Sequence, residues 1–198
     1  MAGGVIKVLN DSTKWVVSSA VFCGLVWRRD ERACWCVVGA IVNAFVCKVL
    51  KVAINEARPA GARKADPGMP SSHAQSLGYL SAYAALELAL GDAGPLGASA
   101  AAGGGAALGS GAFLSWLRIA DGFHTVAQVL VGHAVGSASA AAWRHVGERH
   151  ALPLLRASAW AMRGLYGATA ALSVCFVAHS VAGLVRDRRG RETAAKRE

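Results

Sequence analysis

Apolar residues in this chain gather into long blocks, such as Ala33 to Leu50 with only Asn43 and Lys48 polar, and not into the stripes of an amphipathic surface helix. Such a block offers no face to water. Within a bilayer it must satisfy its own backbone N–H and C=O groups, which leaves the helix as the default. The blocks run Thr13–Trp27, Ala33–Leu50, Ser72–Leu90, Ala93–Leu117, Thr125–Trp143 and Arg163–Val185. A crossing helix needs about 20 residues, so the first is short and the rest are adequate. The expectation is an all-α integral membrane bundle of about six transmembrane helices, forming a single domain over residues 1–198. A short N-terminal segment, 1–12, and a basic C-terminal tail, 186–198, flank it.

Charge agrees with that class. Only 17% of the residues are charged and 54% are hydrophobic, where a soluble domain carries about a quarter charged residues. The net charge of +9 lies in short connectors and in the run Arg186–Arg191. Basic residues flanking apolar spans serve topology and anionic headgroups, and no aromatic-and-basic pattern for nucleic acid accompanies them. The cysteines Cys23, Cys34, Cys36, Cys47 and Cys175 form no CxxC pair and read as small hydrophobes inside helices. No transit peptide or signal-cleavage site is visible ahead of Arg28. Gly105-xxx-Gly109 and Gly132-xxx-Gly136 have the small-xxx-small spacing of closely packed membrane helices. Trp15, Trp27, Trp35 and Trp143 sit at span edges, as an interfacial belt would.

Three polar stretches interrupt this apolar background: Lys51 to Pro59 after the second span, Gly68 to His73 at the start of the third, and Arg118 to Gln128 between the fourth and fifth. If consecutive spans cross in opposite directions, all three emerge on one membrane face. Lys51 and Arg58 are seven residues apart, so both share a helical face if the second helix continues past the boundary.

The residue types suit phosphate. Guanidinium groups match phosphate oxygens bidentately and Lys adds a point charge. Ser71, Ser72 and His73 stand where a helix opens, and free N–H groups favour an anion there. With two histidines, His73 and His124, one can attack phosphorus while the other protonates the departing oxygen. Lys51, Arg58 and Arg118 would neutralise the phosphoryl oxygens, the role metal ions fill elsewhere. No carboxylate cluster for Mg²⁺ and no zinc spacing is present, so a mechanism without metal or other cofactor is the natural one. His133 lies farther along the fifth span and points elsewhere; Asn55 and Glu56 stand between the first-stretch charges, where they can tune them.

Lys-x6-Arg-Pro, Pro-Ser-x-His and Arg-x5-His, in this order, resemble the type 2 phosphatidic acid phosphatase superfamily. The runs Asp-Pro-Gly-Met-Pro-Ser-Ser-His-Ala-Gln-Ser from Asp66 and His-Thr-Val-Ala-Gln-Val-Leu-Val-Gly from His124 resemble the plant chloroplastic lipid phosphate phosphatases of the epsilon type. The resemblance implies His124 as nucleophile, His73 as general acid, and Lys51, Arg58, Ser71, Ser72 and Arg118 as phosphate ligands. Two positions depart from the pattern. Leu117 replaces the usual Ser, and Gln128 replaces the Asp four residues after the nucleophile. That Asp would orient the imidazole and stabilise its cation. A Gln carbonyl can fix the tautomer but brings no charge, so either the site works with a weaker base or Asp121 or Asp66 assists from another direction. The His-Thr-x-x-Gln-Val wording also resembles dolichyldiphosphatases.

The implied reaction is metal-independent hydrolysis of phosphatidate to diacylglycerol and phosphate through a phosphohistidine. The alternatives are a polyprenyl or dolichyl diphosphate as substrate, or a catalytically silent lipid-binding membrane protein, which Gln128 and Leu117 keep open. The implied partners are a lipid phosphate and the bilayer, with oligomeric state unreadable. The plastid inner envelope follows from the resemblance alone, with the endoplasmic reticulum as the alternative. The distribution of Lys and Arg leans only slightly toward a cytoplasmic or stromal active site.

Overall fold

The computed structural model describes residues 2–62, 66–91 and 98–195. Its helices are α1 (Ala2–Arg28), α2 (Glu31–Ile54), α3 (Ser72–Leu90), α4 (Ala98–Ala120) and α5 (Val126–Val146), then a π-helical turn (Gly147–Ala151), α6 (Leu152–Arg156) and α7 (Ala159–Ala195). No strand occurs among the described residues, and the all-α expectation holds, with α1 to α5 and α7 as the long helices. They fall into two compact units, Met1–Pro153 and Leu154–Glu198.

Three boundaries differ from the sequence reading. Residues 2–12 are not a separate segment but the first turns of α1, which makes that helix 27 residues long, enough by length alone to cross a bilayer. The helix expected from Ala93 is seen from Ala98, and residues 93–97 lie outside the described residues. The backbone of α7 continues to Ala195 through the basic run, whose side chains, with that of His179, also lie outside them.

In the first unit α3 is the central helix, packed chiefly against α5 and α4 and more lightly against α2. Tyr79, Ala82 and Tyr83 of α3 form its core with Ala140 of α5. Polar side chains buried there are cross-linked: Gln75 Nε2 donates to Asn43 Oδ1 at 2.9 Å, and Tyr79 donates to the Cys36 carbonyl at 3.1 Å. Such bonds remove the cost of desolvating the groups they join. Two glycines set the α3–α5 distance. A Cβ at Gly132 would come within 2.7 Å of the Ser71 carbonyl oxygen, and one at Gly136 would strike that of Gln75. The Gly132-xxx-Gly136 spacing is thus a packing seam. Gly105 and Gly109 make no such contact; the α4 glycines that face α3 are Gly103, Gly104 and Gly111. The motif residues of α3 and α5 are brought together by this close approach.

The outer surface is apolar. Phe22, Phe45, Val49, Phe113, Trp116 and Leu130 are all more than a third exposed, as lipid-facing side chains must be. By length and composition, α2 and Ala159–Ala178 of α7 can cross a membrane. Trp35 and Trp143 join two helices. Their rings stack at 4.6 Å, and each indole N–H donates to the other residue's carbonyl, at 3.1 and 2.9 Å, joining α2 to α5.

Candidate active site

The three polar stretches converge at one end of the first unit, and each arrives by its own local device. α2 does not continue to Arg58. Asn55 takes the left-handed conformation (φ 48°, ψ 37°) and caps the helix, a conformation Asn tolerates better than most residues. Lys51 and Arg58 therefore share no helical face; they meet because the chain folds back. The Asp66 carboxylate lies between them, 3.2 Å from Lys51 Nζ and 2.9 Å from the Arg58 guanidinium. Lys51 also donates to the Pro67 carbonyl, and Arg58 Nε to that of Asp66 at 2.9 Å. Asn55, Glu56, Arg58, Pro59 and Asp66 line a cavity of about 360 Å³ beside this cluster. Burial would raise the Asp66 pKa, but the hydrogen bonds and charges of Arg58 and Lys51 prevail and hold it below the ordinary carboxylate range.

The second stretch opens α3. Ser71 is its N-cap, its hydroxyl accepting from Ala74 N–H, and is wholly buried. Ser72 and His73 form the first turn, Ser72 exposed and His73 half-buried. Helix geometry leaves first-turn N–H groups without carbonyl partners of their own helix. The Ser71 N–H donates to the Gln128 carbonyl at 3.0 Å, so the α3 cap is tied directly to α5.

The third stretch carries His124 in the turn between α4 and α5, just ahead of the Thr125 N-cap. Its two ring nitrogens have different neighbours. Nδ1 lies 3.0 Å from Gln128 Oε1 and Nε2 lies 2.9 Å from an Arg58 guanidinium nitrogen. Arg donates only, so Nε2 must be the acceptor, with its lone pair toward the cations. Gln128 leads to the same tautomer independently. Its Nε2 donates to Glu56 Oε1 at 2.9 Å and to the Ala57 carbonyl at 2.8 Å. Only an NH₂ group serves two acceptors, so the amide oxygen faces His124 and takes a proton from Nδ1. Burial chiefly, and then the charges of Arg58, Arg118 and Lys51, outweigh the Gln128 bond and push the His124 pKa down to about 4. The imidazole is neutral at pH 7.

Gln128 is fully buried and touches all three stretches: Glu56 and Ala57 in the first, Ser71 and Gly68 in the second, His124 and Thr125 in the third. A Cβ at Gly68 would come within 2.5 Å of the Gln128 side-chain nitrogen, so this glycine makes room for the amide. Gln128 also completes a capping box with Thr125 at the start of α5. The carboxylate next to it is Glu56, and not either of the two aspartates expected to assist. Asp66 lies between Lys51 and Arg58, and Asp121 accepts from Asn10 Nδ2 at 2.6 Å.

Asn10 is a site residue that sequence reasoning missed. From α1 it also accepts a hydrogen bond from Arg118 at 2.9 Å, while the Arg118 guanidinium stacks 4.1 Å over the Phe123 ring. The available signal was Asn10-Asp11 directly after the apolar Val8-Leu9, within the N-terminal segment 1–12. Leu117 is buried in α4, while Ser115, two residues before it, donates to the Gly111 carbonyl at 2.7 Å. His133 lies 3.1 Å from Ser115 and joins α5 to α4, so it does point elsewhere.

No protein-family model matches the chain. It is 33% identical over 142 residues to lipid phosphate phosphatase epsilon 2, chloroplastic, of Arabidopsis thaliana, a match taking in 71% of this chain and 48% of that protein. It is 33% identical over 187 residues to lipid phosphate phosphatase epsilon 1, chloroplastic, of the same plant, covering 94% of this chain and 66% of that one. The chain therefore spans between 48% and 66% of the length of these curated relatives. Its fold is similar to that of a transmembrane PAP2 type phosphatidylglycerolphosphate phosphatase from Bacillus subtilis, with a TM-score of 0.58 and 16% identity over 75% of this chain and 78% of the other. With the motifs in order, joined through Gln128 and matched by these relatives, the chain belongs to the type 2 phosphatidic acid phosphatase superfamily and is related to the plant lipid phosphate phosphatases of the epsilon type.

Proposed function

We propose that this chain is a metal-independent lipid phosphate phosphatase that hydrolyses phosphatidate to diacylglycerol and inorganic phosphate. The observation that carries the reading is the fixed state of His124: Nδ1 protonated against Gln128, Nε2 bearing its lone pair and held 2.9 Å from Arg58. A neutral imidazole among cations is a nucleophile aimed at an anion.

The phosphoryl group enters beside Lys51 and Arg58 and displaces the Asp66 carboxylate that bridges them. Arg118 and the N–H groups opening α3 complete the cradle. His124 Nε2 attacks phosphorus, the bond to the glycerol oxygen breaks, and His73 gives that oxygen a proton. Water then attacks the phosphohistidine while His73 takes back a proton, releasing phosphate and restoring neutral His124. The apolar exterior favours a substrate that arrives through the bilayer with its headgroup at this end. The names of the two curated relatives, both chloroplastic, support a plastid membrane as the location.

The test is phosphate release from phosphatidate in mixed micelles with EDTA present, wild type against His124→Ala. Turnover that survives chelation and falls by at least about 10³-fold in the variant is the expected result. Loss of wild-type turnover with EDTA overturns the metal-independent mechanism. A panel adding lysophosphatidate, phosphatidylglycerolphosphate and a polyprenyl diphosphate identifies the lipid, and silence across it favours a lipid-binding role.

A further inference from the structure

We propose that Glu56 is a positioning residue for the nucleophile, acting on His124 through the amide of Gln128. This rests on the reading of His124 as nucleophile. The superfamily pattern places a carboxylate directly behind the imidazole; here an uncharged amide stands there, and the charge lies one side chain farther back. Glu56 Oε1 accepts from Gln128 Nε2 at 2.9 Å, and Gln128 Oε1 lies 3.0 Å from His124 Nδ1.

Two consequences follow from the arrangement. The first is orientation. A free glutamine amide can turn over and present NH₂ to Nδ1, which would force the proton onto Nε2 and remove the nucleophilic lone pair. Glu56 and the Ala57 carbonyl, both acceptors, hold the NH₂ on their side. The second is charge. When Nε2 bonds to phosphorus the ring becomes cationic, and the Glu56 carboxylate then lies one polarised amide away from it. Hydrogen-bond chains of this kind strengthen one another. Glu56 is itself positioned by its backbone, whose carbonyl accepts from Gly68 N–H at 2.6 Å. The same glycine leaves room for the Gln128 amide, so the first and second stretches jointly hold the relay.

The experiment uses the full chain in micelles and four variants: E56Q, E56A, Q128E and E56Q/Q128E. Two properties are read: phosphate release from the lipid panel, and the ¹⁵N chemical shifts of the His124 ring without phosphate. E56Q keeps an acceptor for the amide and loses the charge; E56A loses both. Turnover is expected to fall a few-fold in E56Q and about 10- to 100-fold in E56A, with KM moved less than about threefold. The ¹⁵N shifts of E56A should move from a single Nδ1–H form toward a tautomer mixture, while E56Q stays near wild type. Q128E sets two carboxylates face to face and should lose about 100-fold. Adding E56Q restores a donor and returns at least about tenfold of that loss, a coupling that separate structural defects do not produce. Unchanged ring shifts in E56A, or a double variant no better than Q128E, overturns the relay. If wild type turns over no lipid phosphate, the functional reading fails, and the ring shifts still decide the relay by themselves. Should E56A fail to fold, E56Q/Q128E against Q128E decides the relay, read by turnover or, with no turnover, by the ring shifts.

Discussion

The two ends of the α1–α5 unit are both charged, and they use charge in opposite ways. At the end where α2 begins and α3 and α5 finish, cations meet carboxylates: Arg32 with Glu148, Arg144 with Glu87 and Arg28 with Asp30, each at 2.8 Å. The stacked Trp35–Trp143 pair lies in the same region. At the other end Lys51 and Arg58 share the single carboxylate of Asp66, and His124 is kept neutral among them. One end is a balanced clamp that holds helices together. The other gathers Lys51, Arg58 and Arg118 around a lone pair, a grouping that favours an incoming anion.

That contrast is broken most severely by exchanging the roles of two arginines. Arg58→Ala removes donors that would meet the phosphoryl oxygens, and turnover should fall by about 10²- to 10³-fold, while its carboxylate partner Asp66, 51% exposed, is rehydrated, so the thermal midpoint should fall less than in Arg144→Ala. Arg144→Ala does the reverse. Its guanidinium and Glu87 are both nearly buried, at 12% and 10% side-chain exposure. Orphaning the carboxylate should cost on the order of 3 kcal/mol and leave turnover per folded molecule within about twofold of wild type. Paired thermal and kinetic measurements check both. A loss of turnover in Arg144→Ala equal to that in Arg58→Ala would erase the distinction between clamp and site.

The clamp and the site were not equally legible in the sequence. The apolar blocks announced the helices, because little else can be done in lipid with a stretch such as 33–50, in which only Asn43 and Lys48 are polar. Lys51, Arg58, Ser71, His73, Arg118 and His124 were visible because the phosphate chemistry proposed for the chain calls for those groups and the spans place them at one end. What stayed hidden depends on backbone direction and side-chain reach. Nothing in Lys-x6-Arg says that Asn55 turns the chain into the left-handed region, so that Asp66 and not a shared helix face joins Lys51 to Arg58. Asn10 was missed because α1 begins earlier than its apolar block. Gln128 looked like a loss of charge; only its partners reveal a carboxylate behind the amide. The glycine spacing of α5 marked a true seam and that of α4 did not, since an identical pattern on a lipid-facing surface contacts no helix.

His124 allows the site to be examined by pH. Its pKa, pushed down to about 4 by burial and the neighbouring cations, lies below the unfolded value, ~6.5. Between these values the unfolded chain binds the proton and the folded chain does not, so stability falls as pH falls through that window. Above about 6.5 both states are neutral and the contribution is complete. The thermal midpoint of wild type minus that of His124→Gln should therefore drop between about pH 6.5 and 4 and level off on either side. Binding of vanadate supplies negative charge and should move the ring's ¹⁵N titration upward. A titration midpoint near 6.5 in the phosphate-free protein contradicts the buried neutral imidazole.

The smallest expected effect concerns Asp66. Its carboxylate occupies the position between Lys51 and Arg58 that a phosphoryl group would take, so an incoming anion must displace it. Lys51 and Arg58 are only 9% and 6% exposed, but the Asp66 side chain is 51% exposed, so water takes up the carboxylate as the anion replaces it and the net exchange costs about 1 kcal/mol or less. Asp66→Ala should therefore tighten vanadate binding by about two- to fivefold, the factor that such a free energy allows. Glu148→Ala at the opposite end should leave it unchanged, since Arg32 faces no substrate. Weaker vanadate binding in Asp66→Ala would mean that the carboxylate holds Lys51 and Arg58 in place for phosphate. The two ends would then differ only in degree, each depending on its carboxylates to hold its cations.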